Sequence, residues 1–338
     1  DHAMIRAGQT AAIVRARLEN GDRSVLAEVQ LNRVGANRAQ INRSAIKTRD
    51  LPRYFSSVLF APEDLALVRG DPSGRRRFLD ELLVLRSPRL SGVLTDYERV
   101  VKQRNTLLKS ARASGVRANQ LTTLDIWDDR LIEFGSEIIG ARRALVAELL
   151  PEVRTAYAAI AGAEHATGLV SLLSILDSAT TDSGAVETVP EAARLATMTQ
   201  DEIATAFREA LGRLRRSELD RGLTLAGPHR DDLILSLNGL PARGYASHGE
   251  SWSFALSLKL ASAAVLRRET NSGDPVLILD DVFAELDESR RGRLADAVED
   301  FEQVLITAAV EGDVPKKLAA NIVRIRAGRI LPEEGDND

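Results

Sequence analysis

The run VLILDDVFAELD, Val276 to Asp287, decides how this chain is read. Four apolar residues, Val276 to Leu279, have the length and character of a buried strand, and two carboxylates stand at its C-terminal end. Ligands of open α/β sheets bind beyond that end of the strands. A carboxylate there can hold Mg²⁺, a hard cation that takes oxygen ligands and bridges to nucleotide phosphates. Asp280 suits the metal, directly or through water, and Asp281 is placed to polarise an attacking water. The pair is equally an acidic strand end leading into a turn, and the residues alone leave both readings open.

About thirty residues earlier stands SHGE, Ser247 to Glu250. Serine followed three residues later by glutamate is a capping box, here opening an almost wholly apolar helix over 251–268. Such a start is also an anion site: Gly249 lets backbone N–H groups approach a phosphate, and the Ser247 hydroxyl and helix terminus stabilise its charge. Both readings can hold together. Downstream, Glu285-Leu286-Asp287 reads as a turn in which Asp287 or Ser289 caps the next helix.

Outward from these motifs the chain divides by periodicity. Ala12, Val14, Ala16 and Leu18 alternate with polar residues, Glu19 to Asp22 supply a turn, and Val25, Ala27, Val29 and Leu31 resume the alternation, so 10–60 is expected to be antiparallel sheet. A strand is expected at 57–61. From about Phe78 the period becomes helical: Leu94, Tyr97, Val101 and Leu108 form one stripe, and Leu124, Trp127, Leu131, Phe134, Ile138, Leu145 and Leu149 a second. The polar break over 110–120 makes these an antiparallel, coiled-coil-like arm. Pro151 is expected to end that helix or start the next. Residues 177–190 read as a mobile loop, and Ile203, Phe207, Leu211 and Leu214 as another helix. Strands are then expected at 232–237, 276–279, 304–307 and near 321–325, a hairpin at Asn238-Gly239, and a helix over 289–299.

Composition narrows the class. The 338 residues are 44% hydrophobic and 28% charged with net charge −4, and the pI is about 5.8, so the chain is not globally basic. Arginine clusters at 75–77, 142–143, 215–216, 267–268 and 290–291 read mostly as solvated helix faces, with a local DNA-binding surface if several share one side. No cysteine is present, which excludes disulfides and thiolate chemistry and agrees with a cytoplasmic location. No apolar run approaches a membrane span, and residues 1–10 lack the apolar core of a secretory signal. The chain begins at Asp1 in mid-pattern, as a processed, tagged or partial product would. His229 reads as a hydrogen-bonded structural histidine or as a contact to nucleotide or DNA.

The order of motifs resembles the ABC-type ATPases of the SMC and RecF group. The segment GPHRDD (Gly227 to Asp232), a hairpin, Ser247 to Glu250 and the Val276–Asp287 run, with FAPEDLALVRGDPSGRRRFLD (Phe60 to Asp80) upstream, are similar to the RecF family of bacterial DNA replication and repair proteins from about residue 5 to 330. The resemblance implies an α/β ABC-type ATPase head, P-loop NTPase-like with an antiparallel β subdomain, and an inserted helical arm. Residues 1–77 and 223–330 would build the head, 78–222 the arm, and 331–338 an acidic disordered tail. It implies ATP and Mg²⁺ as cofactors and an ATP-dependent homodimer in which Ser247, Gly249 and Glu250 meet the nucleotide of the second copy. Asp280 would hold the metal, Asp281 orient water, Asp287 communicate across the interface and Thr307 stand where many ABC enzymes carry histidine. Implied partners are single-stranded and gapped or junction DNA, RecO and RecR, with RecA loading as the outcome and no membrane. A different SMC or ABC-type ATPase, or a catalytically inactive DNA-binding module, are the alternatives. The phosphate-cradling loop G-x-x-x-x-G-K-[ST] is found nowhere in the 338 residues. We expect it to have been lost by truncation at the N-terminus, leaving a weak ATPase inactive in this form.

Overall fold

Alternation of β-branched and polar residues, turn glycines and two long helical stripes produce a mixed architecture. The computed structural model describes residues 2–115, 123–162, 165–176, 198–269 and 273–331. Strands β1 (Ala11–Asn20), β2 (Arg23–Asn32), β3 (Arg38–Ile41) and β4 (Ser44–Ile46) form an antiparallel sheet in sequence order. The expected turn joins β1 to β2, with Val14 opposite Val29. Burial is one-sided in a way alternation did not reveal. Val25, Ala27 and Ile41 form a small core, whereas Val14 is 59% exposed.

Strand β5 (Ser57–Phe60) begins the parallel sheet, and helices α1 (Pro72–Arg86), α2 (Leu90–Ala113) and α3 (Thr123–Ala161) follow. The 39-residue α3 runs through Pro151 instead of stopping there. Proline removes one N–H, but Pro151 and Ala147, whose carbonyl loses that donor, both lie on the exposed side where water can replace it. The expected loop at 177–190, residues 116–120 of the expected break and the acidic tail beyond Leu331 lie outside the described residues. After β6 (Thr167–Leu172) comes α4 (Gln200–Arg221), opened by a Thr199–Glu202 capping box and closed by Gly222 in the left-handed conformation.

Strands β7 (Asp232–Leu237) and β8 (Leu240–Pro241) form the expected hairpin, and β6 pairs antiparallel with β7. Helix α5 (His248–Glu269) then leads to β9 (Val276–Asp280), α6 (Glu288–Val298) and β10 (Val304–Thr307), and the chain closes on a hairpin of β11 (Ile325–Arg326) and β12 (Arg329–Ile330). The last strand expected near 321–325 is thus shifted and paired locally.

The parallel sheet has the order β10-β9-β5. Val58, Phe60, Leu277 and Leu279 fill its inner face, and Phe60 meets Trp252 of α5 edge-on, ring centroids 5.6 Å apart. On the outer face Leu59 and Leu305, both in register with Ile278, are 47% and 49% exposed. α3 packs along α5, so one apolar core runs from the strands into the arm helices. Leu108, Ala111 and Leu124 form a second small core between α2 and α3.

Candidate functional site

Parallel pairing places Thr307 beside Asp280 at the C-terminal rim of the sheet. The Thr307 hydroxyl donates to the Asp280 carboxylate. Asp281 turns the chain with φ of 53°, in the left-handed region that aspartate tolerates better than most residues. Its N–H is held at 3.1 Å by both the carbonyl and the hydroxyl oxygen of Thr307. Val282 and Phe283 then plunge into the core. The buried anchors on either side fix the turn, and Asp280, Asp281 and Thr307 come together with their side chains open to solvent.

The serine-led helix start is built as its sequence requires. The Ser247 N–H donates to Glu250 Oε2 at 2.7 Å, and the Glu250 N–H to Ser247 Oγ at 3.3 Å. These bonds from Ser247 hold the Glu250 carboxyl below the usual carboxylate range. Ser247 and His248 face solvent. Beneath them the buried Ser251 hydroxyl donates to the Ser247 carbonyl at 2.8 Å and accepts from Arg69 Nε at 3.1 Å.

A residue that motif reading passed over joins the two halves. Asp287 caps α6 through the Arg290 N–H at 2.9 Å, and its other oxygen meets the Arg290 guanidinium at 3.0 Å. That guanidinium lies so close over Gly249 that a Cβ there would stand 2.6 Å from it. Glycine is needed at 249 for this approach, and Arg290 therefore links Asp287 to the helix start. His248 adds a second link, accepting from Trp252 Nε1 at 3.0 Å and standing 3.8 Å from Glu285. The i, i+3 spacing of Asp287 and Arg290 was the available signal, hidden inside an ordinary-looking arginine pair. Arg291, its neighbour, is structural: it donates to the Phe283 and Leu286 carbonyls and pairs with Asp313 at 2.9 Å.

Other arginine clusters also depart from the solvated-face expectation. Arg75 is 4% exposed and grips Asp232 with two bonds of 2.7 and 2.8 Å; Arg142 does the same to Asp80 at 2.8 and 2.7 Å. His229 is hydrogen-bonded, as its structural reading held: Tyr97 O–H lies 2.7 Å from Nδ1 and the Thr224 carbonyl 3.3 Å from Nε2. Burial pushes its pKa down to about 4.

As to a metal, no cluster of three or more histidine or acidic side chains suited to one is present among the described residues. The rim instead offers two adjacent carboxylates with free lone pairs. That donor set fits Mg²⁺, which is bound through one or two carboxylates with phosphate oxygens and water completing the shell. No helix is long and apolar enough to cross a membrane among the described residues.

Comparison with known proteins places this geometry. The chain is 64% identical over 332 residues to the DNA replication and repair protein RecF of Clavibacter sepedonicus, covering 98% of this chain and 81% of that protein. The chain belongs to the RecF family. To the RecF of Frankia alni it is 50% identical over 336 residues, 98% of this chain and 84% of that one. A solved structure described as the recombination mediator protein RecF with ATPrS in the RecFOR pathway superposes with a TM-score of 0.77 at 25% identity, over 93% of this chain and 79% of the other. A second, with ATP, gives 0.76 at 25% identity, over 92% and 78%. No protein-family model matches the chain. The α/β fold is accordingly that of an ABC-type ATPase head, as the motif order implied.

Proposed function

We propose that this RecF-family chain is an ATP-dependent DNA-binding protein of recombinational gap repair, replication restart and SOS induction. It acts with RecO and RecR to load RecA at gapped or junction DNA. The observation that supports this most is the coincidence of two things: near-complete alignment with RecF proteins, and a sheet rim joining Asp280, Asp281 and Thr307. Solved relatives described with ATP and an ATP analogue support nucleotide as the ligand.

In this reading the head is built from 1–77 and 223–330 and the arm from 78–222. Asp280 holds Mg²⁺, which when bound supplies charge neutralisation to the phosphates. Asp281, rigidly placed by Thr307, orients the attacking water, and its short side chain gives slow hydrolysis. Thr307 senses the terminal phosphate by its hydroxyl. Ser247, Gly249 and Glu250 present backbone amides and a hydroxyl to the triphosphate held by a second copy, and Asp287 carries the interface signal. Hydrolysis works as a timer that opens the dimer. The 338 residues contain no phosphate-cradling loop and so lack the amides and lysine that hold β- and γ-phosphates.

The test is ATP binding with and without Mg²⁺. The chain alone should bind weakly. The chain joined at its N-terminus to the loop-bearing segment of a relative should bind with Mg²⁺ dependence, and Asp280→Asn should abolish that dependence. A loop-bearing protein that binds DNA but still fails to bind ATP would be an inactive module and would overturn the ATPase reading.

A further inference from the structure

We propose that the cleft between α1, α2 and the 224–231 turn receives phosphate groups of a nucleic-acid strand. The inference rests on the DNA-binding reading above and gives it a location. The cleft has a volume of about 720 Å³.

Its chemistry follows from how three consecutive arginines divide their work. Arg75 points inward and is neutralised by Asp232. Arg76 is half-buried at the cleft floor, where its described partner is a neutral one, the Asp231 carbonyl at 2.8 Å. Burial and then the neighbouring Arg142 guanidinium press its pKa down, against the pull of Asp232, Asp231 and Asp80. Arg142 cannot be turned toward a ligand, since Asp80 and the Pro228 carbonyl occupy it. Arg77 faces solvent at the rim.

Across from Arg77, α2 presents Lys102 and Lys109. None of these three rim cations has an ion pair or hydrogen bond among the described residues, and all three are exposed. Glu81 and Glu98 stand four residues from Arg77 and Lys102 on the same helices and form no bridge with them. Five cations face three carboxylates in the lining, and one of those carboxylates, Asp80, is already committed to Arg142. His229 is neutral at physiological pH, its pKa lowered to about 4. The Asn105 side-chain oxygen is taken by Thr224, at 2.7 Å from both its N–H and its hydroxyl, leaving the amide N–H₂ as a further donor. Leu94, Val101 and Pro228 supply an apolar wall for sugar or base.

Spacing favours a strand over a lone anion. Lys102 and Lys109 lie two helical turns apart, about 10 Å, which is the rise of roughly three nucleotides of one strand. On a chain of net charge −4 such attraction has to be local, and this cleft supplies it.

The test uses the chain joined at its N-terminus to a relative's loop-bearing segment, with Mg²⁺ and ATP, and a fluorescein-labelled single strand and a gapped duplex, read by anisotropy over a salt series. A photo-crosslinking residue at the exposed rim position Thr106 reports location. The double variant Arg77→Glu/Lys102→Glu should stay folded and melt only slightly below the parent, since neither side chain has a described partner and the cost is limited to the like charges set beside Glu81 and Glu98. Its slope of log K against log salt should fall by about 2, and the Thr106 crosslink should be lost. If the parent binds DNA while the double variant keeps the parent's slope and Thr106 gives no crosslink, this cleft is wrong and the DNA-binding reading stands. If the parent binds neither DNA, that reading fails and the cleft assignment falls with it. If inorganic phosphate shifts the resonances of the cleft residues and neither DNA does, the cleft is a small-anion site and the proposal is overturned.

Discussion

At the scale of single residues, His229 and Asp231 show how burial sets opposite pH responses two positions apart. Burial holds the His229 pKa down to about 4 and raises that of Asp231 to about 6. Asp231 keeps one oxygen bonded to the Ser174 N–H and hydroxyl at 2.8 and 2.7 Å, while the other has no partner. Between roughly pH 4 and 6.5 the unfolded chain binds the histidine proton and the folded one does not, so this group's stability is present above that window and lost on acidification. For Asp231 the folded state binds the proton more tightly, and its contribution is present at low pH and lost as pH rises through about 6. Each slope amounts to at most about 3 kcal/mol and they largely cancel. Denaturant melts from pH 4 to 7 should therefore show a steeper acid loss in Asp231→Asn and an acid gain in His229→Gln; parallel curves for both would refute the assignment. A second expectation concerns Gly249. Alanine there must push the Arg290 guanidinium away, costing under about 1 kcal/mol because that side chain is flexible, yet it should weaken nucleotide-dependent dimerisation of a loop-bearing protein. Analytical ultracentrifugation with Mg²⁺ and ATP reads the difference.

Among the elements, helices α2, α3 and α4 are held by a charge network their sequence disguised. Arg104 is fully buried and reaches Asp128 at 2.7 Å, Glu218 at 2.6 Å and Thr224 at 3.0 Å, tying α2, α3 and α4 together. Arg104→Met leaves Glu218 buried without its cation and should cost about 3–5 kcal/mol. Adding Glu218→Gln should recover much of it, and urea midpoints for the two variants decide. Position 104 falls on the stripe of Val101 and Leu108, so a core-facing arginine could have been read from spacing; polarity alone put it outside. Elements with strong periodicity were legible: β1 and β2, the Asn238-Gly239 turn, both arm stripes and the Asp280 rim. Continuation of α3 through Pro151 was not, because it depends on which side of the helix meets water. Helix α5 begins at His248 and not 251, since the capping box encloses the first turn. Its buried Ser257 and Ser262 return their hydroxyls to carbonyls four residues back, which lets polar residues sit in an apolar helix. Replacing the cap itself, Ser247→Ala, should lower stability by about 1 kcal/mol, measured by thermal melting.

For the molecule as a whole, sequence pattern told helical stripes from strands but not the core they share, because long-range packing of α3 on α5 leaves no local signature. The same holds for Arg290, whose partner Gly249 is distant in sequence. Dimer formation belongs at this scale. A loop-bearing protein should pair with Mg²⁺ and ATP, and Ser247→Arg, which fills the helix start, should keep it monomeric in light scattering, whereas Ser247→Ala, which loses the same cap and about the same 1 kcal/mol of stability, should still pair. Helix α6 carries one more arginine, Arg293, one turn beyond Arg290, and its guanidinium donates to the Ala161 carbonyl at 3.1 Å and the Ile160 carbonyl at 3.4 Å. These are the last carbonyls of α3, a rod of 39 residues, or about 58 Å at 1.5 Å per residue. One short helix thus lays a guanidinium over Gly249 from one turn and bonds the root of that rod from the next. Over that length a change of about 5° in direction at the root corresponds to roughly 5 Å at the far end.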